Sequence, residues 1–131
     1  MEEEQKKPDS RISYEEMIEQ APDAVVVLDN LGFIRYMNTT AEIISGYRRQ
    51  ELIGKHFAET GVVAPLSIPV AVREFARTLS GEHGPPYEIE MFRKDKTKIK
   101  VENHCRPIME NGKVTGVNLL MRYLGPHKEG K

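Results

Sequence analysis

The chain has 131 residues and a mass of 14.9 kDa, which is enough for one domain with a modest core and not for two catalytic domains. Hydrophobic residues make up 39% and charged residues 30%, and the formal net charge is −1, so the balance gives no electrostatic case for nucleic-acid or membrane binding. A single cysteine excludes an internal disulfide and a cysteine-only zinc site. No apolar run approaches the roughly 18 residues of a membrane helix, and Met1-Glu2-Glu3-Glu4 is too acidic for a targeting peptide. These features point to the cytoplasm.

Three parts are expected: a disordered or loosely attached segment at 1–11, a folded domain at 12–124 and a tail at 125–131. Ser13 and Glu16 have the spacing of a capping box, and Ile12 and Met17 that of a hydrophobic staple, so a helix is predicted from Tyr14 to about Gln20. So short a helix needs a surface to lie against. Ala24 to Leu28 is apolar at every position, which predicts a strand covered on both faces, with this helix over the outer one. Asp29-Asn30-Leu31-Gly32 then turns the chain into a strand from Phe33 to Met37.

Asn38 or Thr39 can cap the next helix, with Glu42 placed for a box with Thr39, and Gly46 ends it. A second short helix is expected over Gln50–Ile53. Residues 57–69 have no clean period and read as irregular chain or a single turn. From Pro69 to Ser80 a longer helix carries Val72, Phe75, Ala76 and Leu79 as an apolar stripe. Three strands follow. Tyr87, Ile89 and Met91 form one face; so do Ile99, Val101, Asn103 and Cys105; so do Val117, Leu119, Met121 and Tyr123. Asn111-Gly112 marks the last hairpin. The fold class is α+β, with a five-stranded antiparallel sheet, short helices on one face and an N-terminal helix on the other.

Six segments together resemble the PAS domain family: Glu19-Gln20-Ala21-Pro22-Asp23-Ala24-Val25, Asp29 to Asn38, Ser45-Gly46-Tyr47, Glu51 to Lys55, Arg93-Lys94-Asp95, and Gly112 to Val117. The resemblance runs from about Tyr14 to Tyr123. It implies a sheet whose inner face, with the short helices, walls a small cavity, and a sensory or dimerising role in histidine kinases and other two-component signalling proteins. It also implies an ion pair between Glu51 and Lys94 that ties helix to sheet. Two positions depart from the family. Lys96 stands where a glycine is common, and of the usual closing motif only Arg122 is matched in Arg122-Tyr123-Leu124-Gly125.

The resemblance also allows cofactors to be weighed. Flavin-binding photoreceptor relatives carry a reactive cysteine near the segment that matches Lys55–Glu59, which has none here, and no tryptophan is present to stack on a flavin. Haem-binding relatives ligate iron from the long helix, which carries no histidine between Pro69 and Ser80. Flavin and haem are therefore not expected, and no other cofactor is named. The four histidines have no metal-site spacing. His104 and Cys105 are neighbours on a strand and point to opposite faces, so they cannot form a thiol–imidazole pair. The basic residues from Arg93 to Arg106 are interrupted by Asp95 and Glu102 and face Glu88 and Glu90 across the hairpin, as in a wet sheet face laced with ion pairs.

Asn103 sits on the inward stripe. It is satisfied by main chain or a trapped water, or it contacts a ligand. The expected cavity lining around it includes Tyr36, Phe57, Phe75, Met91, Val101, Cys105, Leu119 and Met121, together with Val26, Leu28, Ile34, Ile44 and Leu79. The reading is a non-enzymatic sensory module that binds a small molecule or forms a homodimer through Ile12, Met17, Ile18, Val25, Val27 and Leu120, and acts on a downstream signalling domain or protein. A ligand-free scaffold for protein association is the alternative, and a catalytic thiol at Cys105 the third.

Overall fold

The computed structural model describes residues 10–126, with side chains from residue 15 onward. Residues 1–9 and 127–131, and the side chains of Ile12 and Ser13 invoked above, lie outside the described residues.

β1 (Ala24–Asp29) turns into β2 (Ile34–Met37), with the Asp29 carboxylate accepting from the amides of Leu31 (3.0 Å) and Phe33 (2.9 Å). The remaining strands, β3 (Tyr87–Phe92), β4 (Lys98–Glu110) and β5 (Lys113–Pro126), run as a meander. Every pairing is antiparallel and the order is β2-β1-β5-β4-β3, so the last strand lies beside the first. The five-stranded sheet expected from the sequence is present, and its central strand β5 joins two hairpins that are far apart in the chain.

The turns follow the local chemistry. Asn111 (φ 52°) and Gly112 (φ 77°) both take positive φ, as a two-residue hairpin loop requires. Lys96 also sits at positive φ (78°), so a lysine occupies a conformation that suits glycine. Gly32 (φ 96°) is needed twice over, because a Cβ there would lie 2.5 Å from His56 Nε2.

The N-terminal helix α1 runs Ser10–Glu19. It begins before the predicted Tyr14, so Ser13 falls within the helix and is not its cap. Nothing in Ser10-Arg11-Ile12 breaks a helix, and the periodic pattern simply extends backwards. α2 (Thr39–Ser45) is capped by Asn38 and closed by Gly46. The predicted box between Thr39 and Glu42 does not form: Thr39 donates to Glu19 (2.6 Å), and Glu42 accepts from the Arg49 amide (2.7 Å). Asn38 takes the capping role, which leaves Thr39 and Glu42 free to bond outside the helix. α3 (Arg49–Leu52) follows, then two single 3-10 turns at Phe57–Glu59 and Pro65–Ser67, then α4 (Ile68–Leu79).

α4 presents a different face from the one predicted. Val72 and Ala76 are exposed, and Ala71, Glu74 and Thr78 are buried. Small Ala71 and Thr78 let the helix approach the sheet closely. Buried Glu74 is held by Arg73 and Arg77, each at 3.3 Å, and Thr78 returns its hydroxyl to the Glu74 carbonyl (2.8 Å). Apolar periodicity alone could not identify a buried face that contains a paired carboxylate.

Candidate functional site: an apolar cavity with one buried amide

Sheet and helices enclose a cavity of about 80 Å³. β1, β2 and α2 contribute Ala24, Val26, Leu28, Ile34, Met37, Ala41 and Ile44; Phe57, Ala71 and Phe75 come from the helical side; Tyr87, Met91, Asn103, Cys105, Leu119 and Met121 come from the last three strands. Stripe alternation explains most of this wall. Ile89, Met91, Val101, Asn103 and Cys105 all point inward, as their spacing predicts. Phe57 meets Phe75 with ring centroids 5.2 Å apart, and His56 stacks behind Phe57 at 4.9 Å. These rings close one end of the cavity.

Three expected lining residues lie elsewhere. Tyr36 is on the outer face. The β1–β2 register shifts between Val27 and Leu28, leaving Arg35 as an extra residue, so alternation inverts after Ile34. Tyr36 pairs with Val27 outside, and Met37 takes the inward place beside Val26. Val101 is fully enclosed in the packed core and does not border the cavity. Leu79 packs against the core, also away from it. Among the wall residues missed, Tyr87 was within reach of the sequence, since it shares a stripe with Ile89 and Met91. Ala71 was hidden by the shifted face of α4.

Three polar side chains of the wall form one chain, while the hydroxyls of Ser45 and Thr60 are engaged in local bonds with their own segments. The Asn103 amide nitrogen lies 3.5 Å from the Tyr87 hydroxyl, which lies 3.2 Å from Cys105 Sγ. Asn103 Oδ1 has no hydrogen-bond partner among the described residues. Burial raises the Cys105 thiol above its ordinary value. That is the wrong direction for a thiolate nucleophile, so the catalytic-thiol reading is set aside. Burial foremost, and Cys105 next, likewise raise the Tyr87 phenol. His104 points away from Cys105 and meets Glu102 at 3.2 Å.

A second constellation fastens α1 to the helical side. Glu19 accepts from Tyr36 (2.5 Å), Thr39 (2.6 Å) and Arg49 (2.6 Å), and Arg49 also pairs with Glu42 at 3.2 Å. The Arg49 guanidinium, more than Thr39 and Tyr36, holds the Glu19 carboxyl down at about 2 against the opposing effect of burial. Asn38 completes the attachment. Its Oδ1 accepts from the amides of Val25 (2.9 Å) and Ala41 (3.0 Å), and its Nδ2 donates to the carbonyls of Ile18 (2.8 Å) and Asp23 (3.2 Å). The sequence offered Asn38 as a cap but gave no sign of its three other bonds, whose partners are distant in the chain.

The Glu51–Lys94 pair implied by the resemblance is formed at 2.8 Å, and Glu51 also accepts from the Arg48 amide at 3.0 Å. The basic run makes the expected cross-strand pairs, Lys98 with Glu90 and Lys100 with Glu88, both at 3.8 Å. Among the expected dimer residues, Met17 is 66% and Leu120 40% exposed, Ile18 and Val27 are half-buried, and Val25 is only 8% exposed. Val25, Val27, Ile18 and Tyr36 line an open groove between α1 and the outer face of the sheet.

An antiparallel sheet with short helices and a cavity on one face and a helix on the other defines the fold class. The family model described as the PAS fold matches residues 13–123, and the chain belongs to that family. The PAS domain of a protein from Colwellia psychrerythraea superposes with a TM-score of 0.80 at 25% identity, covering 89% of this chain and 98% of that one. The PAS domain of an HTR-like protein from Haloarcula marismortui gives 0.74 at 21% identity, with coverages of 88% and 92%. The signal transduction histidine-protein kinase AtoS of Escherichia coli is 43% identical over 42 residues, which is 32% of this chain and 7% of the kinase. The domain is thus related to those of histidine kinases, and units of this family are in general sensory and not catalytic. No helix among the described residues is long and apolar enough to cross a membrane.

Proposed function

We propose that residues 12–124 form a cytoplasmic sensory unit of a signalling protein of the histidine-kinase type, in which a small molecule in the cavity biases the position of α1. The observation that carries this reading is the cavity itself, apolar on nearly all sides and bearing one unpartnered buried acceptor. Ala24, Met37 and Ala41 border the cavity and adjoin the atoms that Asn38 gathers, while the same amide grips the end of α1. A change in wall packing is therefore delivered to α1 through one side chain, as a shift between populations of attached and loosened helix.

Native mass spectrometry before and after denaturation tests the ligand. A small mass carried by the folded chain and lost on unfolding supports the reading. A folded chain that neither carries nor takes up any small molecule leaves the scaffold alternative in its place. That alternative has its own support in two exposed apolar residues, Met17 on α1 and Leu120 on β5 opposite Val25. It predicts a homodimer that Met17→Glu disperses.

A further inference from the structure

Asn103 is 2% exposed and forms part of the cavity wall. Its amide nitrogen has one long contact, to the Tyr87 hydroxyl at 3.5 Å, and its Oδ1 has no partner among the described residues. A buried carbonyl oxygen without a donor is strongly disfavoured, and buried polar atoms in native proteins are nearly always satisfied. The partner must therefore come from the cavity contents.

The rest of the wall constrains that partner. None of the residues that line the cavity is charged, so an ion inside would lose its hydration with nothing to replace it. The volume of about 80 Å³ is below the roughly 150 Å³ of an apolar cavity that takes benzene. Met37, Met91 and Met121 in the wall have the side-chain freedom to widen it modestly. Apart from the Asn103–Tyr87–Cys105 chain and the locally bonded hydroxyls of Ser45 and Thr60, the surroundings are aliphatic or aromatic, so the body of the occupant is apolar.

We propose that the cavity selects a small neutral molecule with one hydroxyl or N–H donor on an apolar body, and that Asn103 Oδ1 accepts from that donor. This rests on the ligand-binding reading above and specifies the chemical class of the ligand.

Three probes of nearly equal size separate the cases: benzene with no polar group, phenol with a donor, and pyridine with an acceptor only, at a pH where pyridine is uncharged. Titration of the folded chain, followed by amide NMR shifts, is expected to show phenol binding about tenfold more tightly than benzene, the effect of one added hydrogen bond. Pyridine gains nothing over benzene. In Asn103→Ala, which removes the acceptor and leaves room in the wall, phenol loses its advantage while benzene still binds. Phenol no tighter than benzene in the parent chain overturns the proposal and leaves the ligand-binding reading standing, with a trapped water holding Oδ1. Pyridine as the tightest probe also overturns it, by placing the amide nitrogen towards the ligand. If none of the three binds, the proposal falls; the ligand-binding reading falls with it only when native mass spectrometry also finds no small molecule carried by the folded chain. The parent-chain comparison decides the matter even if the variant fails to fold.

Discussion

The molecule contains two buried asparagines in opposite conditions. Asn38 is fully enclosed and makes four hydrogen bonds, two accepted and two donated, which saturates its amide. Asn103 is nearly as enclosed and has one contact at 3.5 Å and an unpartnered oxygen. Residue type and burial do not separate these two amides. Hydrogen-bond completeness does. Asn38 holds α1, β1 and α2 together, whereas Asn103 faces a space that its neighbours do not fill.

That contrast can be broken in order of expected effect. Asn38→Ala should be the most damaging change, because it leaves the buried amides of Val25 and Ala41 without acceptors. A loss of about 3 kcal/mol is expected in urea unfolding, with faster hydrogen exchange along α1. Glu19→Gln removes the charge from the second attachment of α1, a partly solvated network, and should cost about 1 kcal/mol at neutral pH. The pH dependence has a definite sign. Glu19 is lowered from 4.5 to about 2 in the folded chain, so its contribution is complete above 4.5 and disappears as pH falls through about 2. Parent and variant should therefore converge in stability in acid, as thermal melts across that range would register.

Lys96→Gly relieves a positive φ and should stabilise by about 1 kcal/mol, independently of either asparagine. A loss instead would mean that the lysine makes compensating contacts. The smallest effect is expected at Asn103→Leu in the ligand-free chain, whose unfolding midpoint should stay the same or rise slightly, since an unsatisfied acceptor is replaced by apolar volume. A loss comparable to that of Asn38→Ala would erase the distinction between the two residues.

Much of this was legible in the sequence because sheets encode their faces in alternation. Tyr87 to Met91, Ile99 to Cys105 and the Asn111-Gly112 turn stand where their pattern places them. The failures have local causes. A bulge of one residue at Arg35 turned Tyr36 outward, and no composition signal announces a bulge. The buried face of α4 includes Glu74, a charge that hydrophobic periodicity assigns to solvent. The attachment of Glu19 to Arg49 joins residues 30 apart in the chain, so only the folded arrangement reveals it. Asn103 was legible as a buried amide, but its lack of a partner was not.

The most direct test of the whole account is hydrogen exchange along α1 and β1 with the cavity empty and then saturated with phenol. The account predicts altered protection from Met17 to Glu19, at the end of α1 on the far side of the sheet from the cavity. Unchanged protection there, with phenol demonstrably bound, would contradict it and leave the cavity a pocket without a message.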